Sequence, residues 1–491
     1  MRYRGLLFAS GTRRIALIFG LCLIHDLSCG AQTILKDGTV ITGECSSRTS
    51  EPACVLPNLF GPGGLTLANN PAFSHYAHYV GSAQTTLNQT LSTAIATQLA
   101  ILPIISPASG FTYKYDSAAG AFVRSTTSFG PIYTERAETI GRGKFAFGVS
   151  YQRFRFSNLD GIDLHSVPAV FTHLPGTGPN HADEPYEADV ISTANSINLN
   201  IDQTLLYGTV GITDRLDISV AIPLVSVRMG ASSNATIVRV SGPTFKEVAS
   251  GMVFPNPHAF NSAGSLTNVY TSNGTSSGIG DVTFRVKANV YQINDFRIAL
   301  ATDIRTPTGN AREFLGTGAV GVKPFVIVSA GKRFSPHLNV GYEWNGDSIL
   351  AGDVTGVTIS EDQNENVLVQ NGPVAKKGLP GQFFYSLGAD YGVTNRLSIA
   401  TDYLGQVLFD APRVFRSSIT TANVPGGTGA LTLPTVTPGK DTIGLNSAAI
   451  GLKYNLFDRL LLTADLLFRL DNRGLRQDVT PLIALSYAFG R

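Results

Sequence analysis

The chain is poor in charge, in sulfur and in tryptophan. Lys, Arg, Asp and Glu make up 15% of its 491 residues, and it has four Cys, three Met and one Trp. Its 37 basic and 35 acidic residues leave a net charge of +2. No clustered basic face of the kind nucleic acid requires is visible, so nucleic acid is not an expected partner. Past residue 30 there is no run of about 18 apolar residues, which excludes a helical membrane span. Yet mean hydropathy is +0.11, high for a water-soluble chain. Apolar residues that are plentiful without any such run point to strands.

The N-terminus reads as a targeting segment. Arg2, Arg4, Arg13 and Arg14 precede the apolar run "IALIFGLCLI" (Ile15–Ile24) and the small residues of "SCGAQ". These are the regions of a signal peptide, residues 1–31, cleaved between Ala31 and Gln32. A lipoprotein anchor at Cys29 is the weaker alternative, because Asp26 sits where an apolar residue is wanted. Cys45 and Cys54 remain in the exported chain, and an even pair there predicts a disulfide. Two thiols without a neighbouring His make a poor metal site; neither a metal nor a cofactor is expected.

What is abundant is one short pattern. "GITDRLDISVAIPL" (Gly211–Leu224) returns as "GVTNRLSIATDYLG" (Gly392–Gly405). Looser forms begin at Gln292, Arg333 and Asn455. After each polar turn the residues alternate with period two. Phe296, Ile298, Leu300, Thr302 and Ile304, for example, alternate with Arg297, Ala299, Ala301, Asp303 and Arg305, as in a strand with unlike faces. The runs last about 10–14 residues, longer than soluble strands and long enough to cross a bilayer. Short turns on one side face long Gly/Ser/Asn/Pro-rich loops on the other, near 157–195, 229–277, 348–380 and 411–440, the asymmetry of outer-membrane barrels. Tyr207, Tyr291, Tyr391 and Tyr454 each precede a short turn on the apolar face, where a ring marks the bilayer edge. The final run "PLIALSYAFGR" resembles the C-terminal signal read by the barrel-insertion machinery.

The expected fold is therefore all-β, a transmembrane antiparallel barrel in the bacterial outer membrane. Five turns join ten strands; Lys144–Phe156 and Thr480–Phe489 bring the count to twelve, which closes without edges. A phase change at Gln152–Arg153, moving the outward position from Tyr151 to Phe154, predicts a bulge. Residues 144–491 form the barrel. Residues 32–143 do not share its pattern. Leu87, Leu91, Ile95, Leu99 and Leu102 fall on one face of a short helix, and "FTYKYDSAAGAFVR" (Phe111–Arg124) reads as a hairpin. The segment is a periplasmic cap or a plug in the lumen; if the hairpin joins the wall, the strands number fourteen.

"GIGDVTFRVKANVY" (Gly278–Tyr291) and "DIRTPTGNAREFLGTGAVGVKPF" (Asp303–Phe325) resemble the outer-membrane family associated with phenol degradation by the meta-cleavage pathway. The family's Gly-x-Gly-Asp strand and Pro-Thr-Gly arm stand here at Gly278, Gly280, Asp281, Arg305, Pro307, Thr308 and Gly309. The resemblance covers about 144–491 and implies a β-barrel channel for aromatic or other hydrophobic compounds.

Two motifs carry less. "GTGAVG" (Gly316–Gly321) matches a dinucleotide fingerprint but opens a strand where that motif needs a helix. "DQNEN" (Asp362–Asn366) lacks the spacing of a calcium loop. Catalysis by an outer-membrane lipase needs Ser and His within hydrogen-bond reach. None of His75, His78, His165, His173, His181, His258 and His337 adjoins a Ser on an outward strand face.

Strand phase places Asp202, Asp217, Asp281, Asp303, Glu343, Asp390, Asp402 and Asp465 in the lumen. It also places Arg153, Arg155, Arg285, Lys287, Arg297, Arg305, Lys323, Lys453 and Arg469 there. A turn centred on Ile293 would set Asp281 opposite Arg305 as a salt bridge. Interleaved signs cross-link a wall, whereas ion-selective pores carry rings of one sign. The expected function is passive uptake of small hydrophobic or aromatic solutes, with Phe384 as an apolar foothold, low conductance and a weak anion preference. Outer-membrane lipid, the solute and the insertion machinery are the expected partners. The alternative is a structural or adhesive surface barrel without transport; a lipase-like enzyme is the least supported reading.

Overall fold

The computed structural model describes residues 33–34, 40–41, 43–61, 64–68, 79, 82, 90–99, 101–106, 110, 112–116, 121–124, 126–173, 185–246, 251–361, 367–457 and 459–489. The expected signal peptide, Leu87, the Asp362–Asn366 run and the last two residues lie outside these. Twelve antiparallel strands close into a barrel. They are β1 (Phe145–Phe156), β2 (Val190–Thr213), β3 (Leu216–Val238), β4 (Thr283–Ile293), β5 (Phe296–Arg305) and β6 (Gly321–Ser329). They continue as β7 (Phe334–Asn345), β8 (Gln382–Gly392), β9 (Leu397–Thr420), β10 (Thr432–Phe457), β11 (Leu460–Arg469) and β12 (Val479–Phe489). Each pairs with the next, and β12 returns to β1 from Leu482↔Gln152 to Phe489↔Phe145. No barrel edge is left unpaired, the condition for a sheet in lipid.

The faces are reversed relative to a soluble sandwich. On β5, Arg297, Ala299, Ala301 and Asp303 are buried while Phe296, Leu300 and Ile304 are exposed. On β7 the exposed face runs from Phe334 to Trp344, a rise of about 25 Å along a tilted strand and the height of a lipid-facing belt. Tyr291, Tyr391 and Tyr454 are exposed beside the short turns, an aromatic girdle at the inner interface. A closed barrel with an apolar exterior belongs in the bacterial outer membrane. It is expected to need detergent for solubility and to migrate faster unboiled than boiled on a denaturing gel. A chain soluble in plain buffer, with one mobility, would contradict this architecture.

Several details differ from the sequence reading. Four strands run far past the bilayer. β2 and β9 have 24 residues, β3 has 23 and β10 has 26, roughly 75–85 Å of strand against a hydrocarbon core of about 30 Å. Much of the segments 229–277 and 411–440 is thus ladder, not loop. No bulge interrupts β1, which alternates through to Phe156 and pairs with β2 in one register. Phe154 and Phe156 therefore point inward, and Arg153 and Arg155 outward. Asp202 shares that outward face, across from Arg153. Tyr207 is turned into the lumen and buried, with its ring over Gly148, where a Cβ would collide with it. The hairpin Tyr113–Asp116 with Ala121–Arg124 forms its own two-stranded sheet, so the wall has twelve strands, not fourteen.

Described parts of the N-terminal segment pack against the inner wall. Near the outer rim, Glu44 N–H donates to Thr355 O at 2.9 Å, and a disulfide joins Cys45 to Cys54. Val55, Leu56 and Leu59, with Leu91 and Ile95 of helix α1 (Thr90–Leu99), pack against Phe154, Ile197, Leu199, Val227 and Met229 of the inner wall. This outer half of the lumen is as apolar as a soluble core, which is why the inner faces of β1–β3 carry Phe, Ile, Leu and Met there. Residues 126–141 then cross the inner half before Gly143 pairs with Gly211 and β1 begins.

Candidate functional site: the lumen and its transverse strap

Residues 126–141 hold neither helix nor strand. Irregular backbone at membrane depth is tolerated only when its polar groups are satisfied by protein or water. Here the wall satisfies them with a division of labour. Its acids and amides take the strap's N–H groups. Asp402 Oδ2 accepts Ile132 N–H at 2.9 Å and Tyr133 N–H at 3.0 Å, and its Oδ1 accepts Thr134 N–H at 3.3 Å. Asp390 accepts Gly130 N–H at 3.2 Å, Asp217 accepts Ile140 N–H at 3.0 Å, and Asn339 accepts Glu135 N–H at 2.6 Å. Its lysines take the carbonyls. Lys453 Nζ donates to Pro131 O at 2.5 Å, and Lys287 Nζ donates to Glu138 O at 2.7 Å and Arg136 O at 3.1 Å.

The strap adds three charges of its own. Glu135 pairs with Arg285 and, at 3.0 Å, with Lys287; Glu138 pairs with Arg297 at 2.9 Å. Arg136 folds back on the strap's approach, donating to Gly110 O at 2.6 Å. Gly130, at φ 78°, leaves the space its guanidinium fills. Asp465 is buried on β11 opposite Gly451, where a Cβ would lie 2.8 Å from its Oδ1 and collide with Ile132. Arg469 stands apart at the outer end of β11, paired with Asp478 at 2.6 Å.

Ser329, His337 and Asp390 are brought together as sequence spacing did not suggest. Ser329 Oγ lies 2.7 Å from His337 Nδ1, and His337 Nε2 lies 2.6 Å from Asp390 Oδ1. The signal was available once register was known, since Ser329 and His337 are cross-strand partners on β6 and β7. The trio has the groups of a hydrolase triad, but its Ser is 1% exposed and accepts Ala137 N–H at 2.9 Å. The hydroxyl faces the strap, and Ser329 and Asp390 anchor it through Ala137 N–H and Gly130 N–H.

Asp281 and Arg305 are not directly opposed. Two residues, Asn294 and Asp295, turn between Ile293 and Phe296, and an irregularity between Asn289 and Tyr291 shifts the ladder so that Arg305 faces Thr283 and Asp303 faces Arg285. Arg305 reaches Glu343 at 3.1 Å and Asp281 only at 3.9 Å. Asp281 instead ties down the Pro-Thr-Gly arm, accepting Gly309 N–H at 3.0 Å and both Thr317 N–H and Oγ–H at 2.7 Å. Thr308 Oγ donates to Gly280 O at 2.7 Å. The small residues are required here, because a Cβ on Gly309 would strike Gly316 and one on Gly280 would strike Leu315 O. The Gly-x-Gly-Asp strand and the arm are one folded unit, which explains why they occur together.

Between arm, plug and strap lies a cavity of about 220 Å³. Ile101, Leu102, Leu315, Phe325 and Phe384 give it apolar surface, and Glu135 and Tyr133 close it toward the strap. Its charges are already paired: Arg285 holds Asp303 at 2.6 Å, and Lys323 holds the same carboxylate at 3.1 Å. Arg285 and Lys323 also lie 5.2 Å from the ring centroids of Phe325 and Phe384.

Residues 183–416 match the family described as "Putative MetA-pathway of phenol degradation". The matched stretch contains the arm, the Ser329–His337–Asp390 trio and most of the cavity wall, including both segments that carry the motif resemblance. It leaves out the strap, β1, the end of β9 and β10–β12. Similar solved structures include an outer membrane channel from Pseudomonas putida F1, at 14% identity over 72% of this chain and 98% of that one, with a TM-score of 0.39. Another is the P. putida toluene transporter TodX, at 8% identity over 74% and 97%, with a TM-score of 0.32. Comparison with the curated proteins finds no match.

The lumenal charge count changes with the strand phases. Removing the outward Asp202 from eight expected acids, and Arg153 and Arg155 from nine expected bases, leaves seven of each. The strap adds Glu135 and Glu138 against Arg136. The anion preference inferred from the longer count therefore loses its basis. Planar-bilayer recordings are expected to show low conductance with no marked preference for either ion sign; large, strongly sign-selective currents would contradict a lumen of internally paired charges.

Proposed function

We propose that this barrel is a passive outer-membrane channel for small, uncharged, mainly apolar solutes, aromatic ones foremost. In this reading residues 1–31 are removed, residues 32–143 form the lumenal gate and residues 144–491 the conducting wall. It is not an enzyme. The cavity beside the strap carries the proposal. An apolar cavity of about 150 Å³ already accommodates benzene, so about 220 Å³ accepts a single ring with a substituent. Its apolar side chains offer the ring a desolvated seat, while ion pairs already satisfied among themselves give a charged solute no free counter-charge. The family match supports the same substrate class.

The test is accumulation of a radiolabelled monoaromatic by intact cells, whose lipopolysaccharide leaflet retards such compounds. Cells lacking the protein are expected to take it up at least threefold more slowly than complemented cells, with sugar uptake unchanged. Equal rates for the aromatic would overturn the proposal.

A further inference from the structure

At the outer edge of the lipid belt, the outward face of β1–β3 and of the strand Thr267–Ile279, which pairs with the outer part of β3, changes character within one strand repeat. The row Tyr151–Thr204–Leu224–Ile279 is followed by Arg153–Asp202–Ser226–Ser277 and then by Arg155–Asn200–Arg228–Thr275. Leu224 and Ile279 are exposed to lipid; the next two rows hold no aliphatic side chain. Arg155 lies as many residues along β1 from Phe145 as Trp344 lies along β7 from Phe334, which puts the arginines at the outer edge of the belt.

Asp202 organises the patch. Its carboxylate accepts Tyr151 Oη–H at 2.6 Å, and it pairs with Arg228 at 2.5 Å and Arg153 at 3.3 Å. Both guanidiniums remain accessible, with side chains 51% and 38% exposed. Arg155 is exposed and has no side-chain hydrogen bond or ion pair among the described residues. Three guanidiniums against one carboxylate leave a local charge of 3 − 1 = +2. Arginine on a lipid-facing wall is unfavourable at bilayer depth and is tolerated near the interface, where headgroup phosphates supply the missing counter-charge. Guanidinium forks match phosphate oxygens two at a time.

We propose that Arg153, Arg155 and Arg228, held by Asp202 and Tyr151, bind the phosphates of the anionic glycolipid of the outer leaflet. The site lies on the outside of the wall and does not depend on what passes through the lumen.

Native mass spectrometry of the purified protein with bisphosphorylated lipid A tests it. The wild-type chain is expected to retain this lipid at least tenfold better than the variant Arg155→Gln/Arg228→Gln, and better than it retains dephosphorylated lipid A. Arg155→Lys, which keeps the charge and loses the fork, should fall between. Unboiled gel mobility identifies variants that have closed their barrels, and only those are compared. Equal retention by wild type and double variant, or of phosphorylated and dephosphorylated lipid, would overturn the assignment. So would displacement of the lipid by millimolar inorganic phosphate, which would mark a site for a free anion.

Discussion

Asp402→Ala is expected to raise single-channel conductance at least tenfold while leaving the barrel folded. One carboxylate accepts three consecutive strap amides, from Ile132, Tyr133 and Thr134. Removing it leaves three buried donors without partners, at roughly 1–3 kcal/mol each before relaxation. Every 1.4 kcal/mol is about a tenfold change in population, so a strap weakened by even half the maximum shifts far toward the displaced state. The wall does not share the cost, because β8, β9 and β10 keep their ladders. Asp402→Asn, which retains one acceptor oxygen, should give an intermediate conductance. Limited proteolysis supplies an independent readout, with cleavage between Thr126 and Gly141 appearing in the alanine variant first. Unchanged conductance and unchanged cleavage together would mean that the strap is not the barrier.

The wall was legible in the sequence because lipid and lumen impose opposite chemistry at every second residue. Phe296 to Arg305 could be assigned inside and outside from that alternation alone, and the short turns set the strand count. The errors have a common cause: the lumen is not uniformly polar. Where the N-terminal plug packs, the inner face is apolar, so Phe154 and Phe156 looked lipid-facing and Tyr207 passed for an interface ring. The register at Asp281 escaped because the turn falls at Asn294 and Asp295 and is not centred on Ile293. The strap escaped for a deeper reason. Its hydrogen bonds go to side chains scattered from Asp217 to Lys453, so it has no periodicity of its own. Its one local sign is Glu135, Arg136 and Glu138, the only charges between Thr126 and Gly141. Interleaved acids and bases on the wall were read as mutual cross-links. Many instead serve the strap, with acids accepting its N–H groups and lysines donating to its carbonyls.

That division of labour predicts an asymmetric response to Lys287→Met, which preserves side-chain length and removes the charge. Lys287 is 1% exposed and serves two strap carbonyls together with Glu135; its Nζ also lies 3.8 Å from Asp217. Breaking a buried pair by removing one partner costs about 3–5 kcal/mol, because the other charge stays buried. Hydrogen exchange of the strap amides should therefore accelerate by roughly 10²- to 4 × 10³-fold, at about 1.4 kcal/mol per factor of ten. The acceleration should be greatest from Glu135 to Ile140, next to Lys287, and smaller at Ile132 to Thr134, where Asp402 still holds. Lys287→Met/Glu135→Leu should cost less than the sum of its single variants, since the pair they form with each other is lost only once; contacting groups couple by about 0.5–3 kcal/mol. Additive effects, or protection lost equally along the whole strap, would show that Lys287 only fills space and that the carbonyls find other donors.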